Sequence, residues 1–288
     1  MPKRDSISEK MMYATLRLYD PVKKSSATGF IYTFEVNDIK LHALITNRHF
    51  AEAVNDLSKL DFTKKTISQR LITKVHVDDD QIVDVDIVVD WLLHSKEDLA
   101  FTNLKKVFEN AKTKSGKGVV FAPIVETYIP SQEQLEKLSA IEDVIMVGYP
   151  NGLYDEVHNF PIFRKGITSS HPSVDHNGKK HGLVDMACLP GSSGSPIFIL
   201  NESSYNNKSG GLVLGNRLFF LGIQNSMPVR TSLSLYKKTI NPISGLSTYS
   251  NTDDYAVSDD LNLGMYIKSS ELSEFKDLVA QANPPKQV

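Results

Sequence analysis

Hydrophobic and polar positions alternate along much of the chain, and the elements they predict are short strands. Residues 14–19 read Ala-Thr-Leu-Arg-Leu-Tyr with period two, and Asp20-Pro21 turns the chain. Residues 25–29 are small and predict a loop. Residues 30–36, Phe-Ile-Tyr-Thr-Phe-Glu-Val, are aromatic and β-branched, the composition of a strand. Asn37-Asp38 is a turn signal, and residues 41–46 return as the hairpin partner. Residues 50–58 allow one or two helical turns. Residues 70–77 and 82–89 predict strands on either side of the acidic turn 78–80. The second of these continues through 91–94, and 99–101 forms a short buried strand. About six strands by residue 105 are the content of one antiparallel barrel.

The polar, lysine-rich stretch 105–117 predicts a surface loop. Ser131 with Gln134 three residues on is a capping box, so a helix is expected over 131–138. A second set of strands is expected at 144–150, 161–169, 182–186, 197–200, 218–226 and 263–267. Asn177-Gly178 marks a type I′ hairpin tip between two of them. Residues 201–211 read as exposed, and 237–260 as a polar, irregular insertion or mobile loop. A helix over 270–279, capped by Ser269 or Ser270, closes the chain. The expected fold is all-β: two six-stranded antiparallel β-barrels with a C-terminal helix. They form one domain over 1–288, with the first barrel at about 10–105, a connection at 106–142, the second barrel at 143–268 and the helix at 269–282.

Composition narrows the setting. The 288 residues are 41% hydrophobic and 23% charged, ordinary for a folded domain. The net charge of -2 supplies no field that favours nucleic acid or an anionic membrane. Cys188 is the only cysteine, so no intrachain disulfide forms, and a reducing compartment is favoured. Charged residues come after Met1 without an apolar stretch behind them, and no segment approaches the roughly 18 apolar residues that span a bilayer. A cytoplasmic protein is expected.

Three stretches carry candidate chemistry. Residues 189–196, Leu-Pro-Gly-Ser-Ser-Gly-Ser-Pro, precede an apolar strand. Glycines there permit positive φ and close backbone approach. Such a turn can present Ser193 together with backbone N–H groups, as acyl transfer requires. Taken alone it also fits the tight start of a hairpin. His49 comes just after a strand in Leu-Ile-Thr-Asn-Arg-His, and Asp98 stands in Glu-Asp-Leu-Ala-Phe.

In the order His49, Asp98, Ser193, these segments resemble trypsin/chymotrypsin-fold serine proteases of the HtrA-like branch. The resemblance runs from about residue 14 to 266. It implies the two-barrel fold and a triad in which Ser193 is nucleophile, His49 general base and acid, and Asp98 the group that orients the imidazole. It implies an oxyanion hole from the N–H groups of Gly191 and Ser193. It also implies substrate contacts at Ala187, the position six before the nucleophile, at Leu189, and along Gly222-Ile223-Gln224, where an extended substrate would add as a strand. No acidic residue falls at the pocket floor, so a small or medium apolar residue before the cut bond is expected. The segment after residue 268 is too short for the PDZ module of HtrA-like enzymes.

The chain departs from the trypsin pattern at Ser192, which cannot pair with a freed amino terminus as the usual aspartate does. Ser195 stands where a glycine is usual. The order of the three residues, and the serine at 195 that removes a Gly-x-Ser-x-Gly elbow, argue against an α/β-hydrolase esterase. His171, His176 and His181 recur at a spacing of five, which fits a solvated hairpin better than a metal site. The carboxylates of 78–86 lack the glycine of a calcium loop. Cys188 reads as structural. The expected function is a serine endopeptidase with no metal and no cofactor, acting on polypeptide and latent or controlled by a regulatory protein. A catalytically silent peptide-binding module is the alternative.

Overall fold

A computed structural model describes residues 4–54, 57–78, 81–227, 229–240, 247–260 and 262–284, with backbone alone over 229–260. Expectations for residues 1–3, for Asp79 and Asp80 and for 241–246 lie outside these residues.

Six strands form the first barrel: β1 (Thr15–Asp20), β2 (Ser25–Val36), β3 (Ile39–Thr46), β4 (Thr66–His76), β5 (Ile82–Leu93) and β6 (Ala100–Asn103). They pair in the order β1-β4-β5-β6-β3-β2, and the β1–β2 pairing closes the ring. A short β7 (Ile124–Val125) runs parallel to β2. The second ring uses β8 (Asp143–Gly148), β9 (Ile162–Thr168), β10 (His181–Asp185) and β11 (Pro196–Asn201). A small hairpin, β12 (Ser204–Asn206) and β13 (Leu212–Leu214), precedes β14 (Arg217–Ser226). A second hairpin, β15 (Val229–Ile240) and β16 (Ser247–Asp260), precedes β17 (Leu263–Lys268). The closed order is β10-β17-β14-β11-β8-β9. The two-barrel expectation is met.

Each barrel fills its interior with the inward half of its alternating strands. Leu18, Ile31, Leu44, Leu71, Val85 and Trp91 fill the first. Val144, Met146, Val184, Ile197, Leu221 and Tyr266 fill the second, with Cys188 among them. A third cluster lies between the barrels. There Phe30, Phe34 and Phe101 of the first meet Phe198, Phe220 and Ile267 of the second, beneath Phe275 and Val279. The last two belong to the terminal helix, so that helix seals the seam.

Several local expectations need correction. Residues 25–29 are strand, paired with β1 from Ser25↔Asp20 to Gly29↔Leu16. Small residues are needed there because a Cβ on Gly29 would come within 2.8 Å of Leu18 and Leu44. The lysine-rich stretch is a helix, Lys105–Ser115. Val107 and Ala111, one turn apart, are buried against β5 while the lysines face out, and Gly116 ends the helix at φ +73. Polarity masked that periodicity. Within the stretch 237–260 the described residues are strand, not irregular: β15 and β16 pair antiparallel over most of their lengths. Thr, Ser, Val and Tyr dominate both, a composition that suits strands despite its polarity. Asn177 and Gly178 do adopt positive φ, but in a turn within the longer connection 169–180. The terminal helix begins at Ser273 after a 3-10 turn, Ser269–Leu272, and neither Ser269 nor Ser270 caps it. Ser269 Oγ donates to Phe220 O instead. The Asn37-Asp38 turn (φ +49 and +63) and the Ser131–Gln134 capping box are as expected.

Candidate active site

β3 delivers His49. The strand ends at Thr46 and the chain turns at once into a short helix, Arg48–Glu52. Asn47 sits at its N-cap but makes no side-chain cap; its Nδ2 donates to Asp98 O at 2.9 Å. His49 Nδ1 lies 2.7 Å from Asp98 Oδ2, and the His49 backbone N–H donates to Oδ1 of the same carboxylate at 2.7 Å. An ionised carboxylate only accepts, so this contact fixes the proton of a neutral imidazole on Nδ1. Nε2 is thereby left as the acceptor. Both side chains are mostly buried, so little water competes for the pair.

Asp98 sits in the 94–99 loop between β5 and β6, and that loop is braced on every side. His94 N donates to Leu99 O. His94 Nδ1 accepts from the N–H groups of Lys96 and Glu97, which places its proton on Nε2, 3.2 Å from Glu271 O. Ser95 N and Oγ donate to the two oxygens of Glu274 at 2.7 and 2.6 Å. Glu97 Oε2 meets His181 Nε2 of β10 at 2.7 Å. Glu271 is half-buried beside Glu97, and burial together with that like charge pushes its carboxyl up. The three histidines at spacing five do not share one solvated surface: His181 is buried in this contact, His171 bonds Ser173, and His176 bonds Asn177.

Arg48, next to His49, is fully buried. Its Nε donates to Glu52 Oε1 at 2.9 Å and its Nη1 to His94 O at 2.6 Å, while Nη2 reaches the carbonyls of Asp61 and Lys64. The guanidinium also lies over Phe62. Sequence patterns assign no role to Arg48, His94, Glu97, His181 or Glu274.

Ser193 rides on two consecutive tight turns. Ser192 N donates to Leu189 O across Pro190-Gly191, and Ser195 N donates to Ser192 O across Ser193-Gly194. Each turn has glycine at its third position, at φ +88 and +85, the left-handed backbone of a type II turn. The carbonyls of the loop are all tied back. Pro190 O accepts from Asn151 N, Gly191 O from Thr28 Oγ1, Ser192 O from Ser195 N, and Ser193 O from Thr28 N. In a trans peptide the N–H points opposite to the C=O. The amides of Gly191 and Ser193 therefore face away from these anchors. Among the described residues neither amide has an acceptor. Both residues line the same cleft as His49.

His49 and Ser193 line one cleft of ≈ 550 Å³, with Gly191 beside them. Among the described residues no hydrogen bond joins Ser193 Oγ to the imidazole. Ala187 and Leu189 are half-buried and do not line this cleft. Gly222 and Ile223 cannot receive an added strand. They lie inside the barrel wall, paired with β11 on one edge and β17 on the other. Gln224 is also excluded, since its N–H and C=O are bonded to Ser195 and Gly194. Ser192 is buried, its Oγ accepting from Leu189 N, and Ser195 is fully buried against Gly148.

Three similar solved structures are an inactive mutant form of Rv3671c from M. tuberculosis H37Rv, Deg5, and a thermostable serine protease, AL20, from an extremophilic microorganism. Rv3671c is 12% identical over 99% of this chain and 94% of that one, with a TM-score of 0.42. Deg5 is 13% identical over 78% and 88%, at 0.40. AL20 is 10% identical over 96% and 100%, at 0.45. No curated protein matches. Residues 27–203, more than half of the chain, match the trypsin-like peptidase domain, and that span holds all three residues of the constellation. The chain belongs to the trypsin-like peptidase family.

Proposed function

We propose that the protein is a serine endopeptidase working through His49, Asp98 and Ser193. In the first step Ser193 Oγ attacks the substrate carbonyl and its proton passes to His49 Nε2. The C–N bond then breaks as that proton moves to the leaving amine, and water releases the acyl group by the same route in reverse. Asp98 holds the imidazole in the required tautomer and stabilises the imidazolium. The amides of Gly191 and Ser193 bind the oxyanion.

The observation that carries this reading is the pair of unpaired amides beside Ser193, in a loop whose carbonyls are all anchored elsewhere. A structural turn has no need to leave two donors empty. The test is labelling by a fluorophosphonate probe, which reacts with activated serines. Labelling of the wild type that disappears in Ser193→Ala supports the reading, and an unlabelled wild type refutes unaided activity. With no hydrogen bond between Ser193 Oγ and the imidazole among the described residues, we read the enzyme as latent until a regulatory protein or substrate completes the contact. The same arrangement suits the second reading, a catalytically silent peptide-binding module. Labelling that appears with bound peptide separates the two. The single cysteine supports a cytoplasmic setting. Among the described residues no helix is long and apolar enough to cross a membrane.

A further inference from the structure

The cleft that His49 lines has a basic wall. It is the β1–β2 turn, which brings Lys23 and Lys24 into the lining with Ser25 and Ser26. No carboxylate lines the cleft among the described residues. Both lysines are exposed, and neither has an ion-pair partner among the described residues. A third cation stands behind them. Arg17 Nε donates to Gly152 O at 3.2 Å, next to the lining residue Asn151, and its guanidinium lies 5.3 Å from the Tyr154 ring. This concentration of positive charge is local, since the whole chain carries -2.

The turn is also built to hold its shape. Asp20 is buried, and its carboxylate accepts from the N–H groups of Val22 and Lys23 and from Gln69 Nε2. Lys24 is fixed at φ +53, a left-handed conformation that directs the chain into β2. From inside the turn Asp20 also answers part of the Lys23 charge, while both lysines line the cleft.

We propose that the cleft takes substrates with acidic side chains just after the cut bond, recognised by Lys23 and Lys24; this rests on the peptidase reading above. The side of the bond is set by the chemistry. His49 hands its proton to the leaving amine, so the segment that departs lies along the wall His49 shares. The residues tied to the acyl side by sequence, Ala187 and Leu189, do not line this cleft. An extended chain advances roughly 3.3 Å per residue, so the first two or three residues after the bond fall beside the lysines. Long, mobile lysines impose no single geometry and select for charge.

The test is to digest a proteome-derived peptide mixture with the full-length protein and read the residues immediately after each cut by mass spectrometry. Aspartate and glutamate are expected to be enriched about three- to tenfold over their background within three positions of the cut, the range that two exposed ion pairs supply. The enrichment should shrink between roughly 0.05 and 0.5 M salt, where screening of exposed charges becomes nearly complete. In the double variant Lys23→Glu/Lys24→Glu, with an unchanged melting temperature as the control for folding, the preference should turn to lysine and arginine. Cut sites with no acidic enrichment, an enrichment that survives the double variant, or a labelled enzyme that leaves acid-rich peptides uncut overturns the inference alone. Failure of the wild type to react with a fluorophosphonate, alone or with peptide, overturns the peptidase reading and the inference with it.

Discussion

Arg48 donates through Nη1 to the backbone carbonyl of His94 at 2.6 Å, and with the Asn47–Asp98 bond this ties the turn that bears His49 to the loop that bears Asp98. The imidazole and the carboxylate come from segments 49 residues apart in the chain. Their direct contact needs both backbones held still. Arg48 does this from beneath, with its charge answered by Glu52, whose side chain is equally buried.

Removal of Arg48 should therefore be costly. Arg48→Ala leaves Glu52 charged and unpaired in the interior, a loss of roughly 3–5 kcal/mol. Lysine cannot reproduce a fork that serves three carbonyls and a carboxylate at once, so Arg48→Lys should recover only a small part. Urea unfolding measures the stability. The rate of fluorophosphonate labelling, measured against pH, reports whether the His49–Asp98 contact survives in the folded fraction. An alanine variant as stable as the wild type would show that the buried guanidinium is dispensable.

Asp98→Asn keeps the shape of the side chain and changes what it can do. The amide oxygen can accept from only one of the ring and the backbone N–H of His49, the amide nitrogen can only donate, and the wrong tautomer becomes available. Peptide hydrolysis should fall by about 10⁴-fold with little change in melting temperature. A modest loss of activity would show that Asp98 is not what orients the imidazole.

The double turn under Ser193 makes an equally sharp prediction. Gly194 stands at φ +85, and a Cβ there would collide with the carbonyl of Thr28 and lie 2.7 Å from Thr46 Oγ1. Gly194→Ala should abolish labelling, because the loop must shift and its amides with it, and should destabilise the fold by about 1–3 kcal/mol. The exposed Gly178 is a useful contrast. It also has positive φ (+72), but its Cβ direction is open, so Gly178→Ala should cost about 1 kcal/mol and leave labelling intact.

Acid should weaken the first barrel through His76. This side chain is buried, stacked on Phe160 and edge-on to Tyr13, and burial holds its pKa below the ordinary imidazole value. The unfolded chain, titrating near ~6.5, takes up a proton that the folded chain resists. Stability should be constant above that pH and fall as the pH drops below it, levelling only once the folded-state pKa is passed. His76→Phe keeps the ring stack and should flatten the part of the pH dependence that His76 supplies. Urea midpoints measured from about pH 8 to 5 on both proteins check this; superimposable curves would refute it.

The barrels were legible because period-two alternation is a direct consequence of a strand with one buried face, and because Asn37-Asp38 and Ser131–Gln134 carry their geometry in their side chains. Local patterns around His49, Asp98 and Ser193 picked out segments that the fold brings together, His49 against Asp98 and His49 in one cleft with Ser193. What could not be read depends on partners far away in sequence. The helix at 105–115 rests two small buried residues on β5 amid eight polar neighbours. The edges of Gly222 and Ile223 are blocked by β11 and β17, which period and composition cannot reveal. Arg48 and Glu274 act through carbonyls and amides of remote loops, and a backbone acceptor has no signature in the side chains around it.

The bond from Ser95 to Glu274 carries a consequence for how the molecule is made. The segments bearing His49 and Asp98 leave the ribosome long before residue 274 does, and the seam over which Phe275 closes stays bare until then. The first barrel is thus made in full before the Asp98 loop can receive this brace, so the order of synthesis leaves that loop the last part of the site to be fastened.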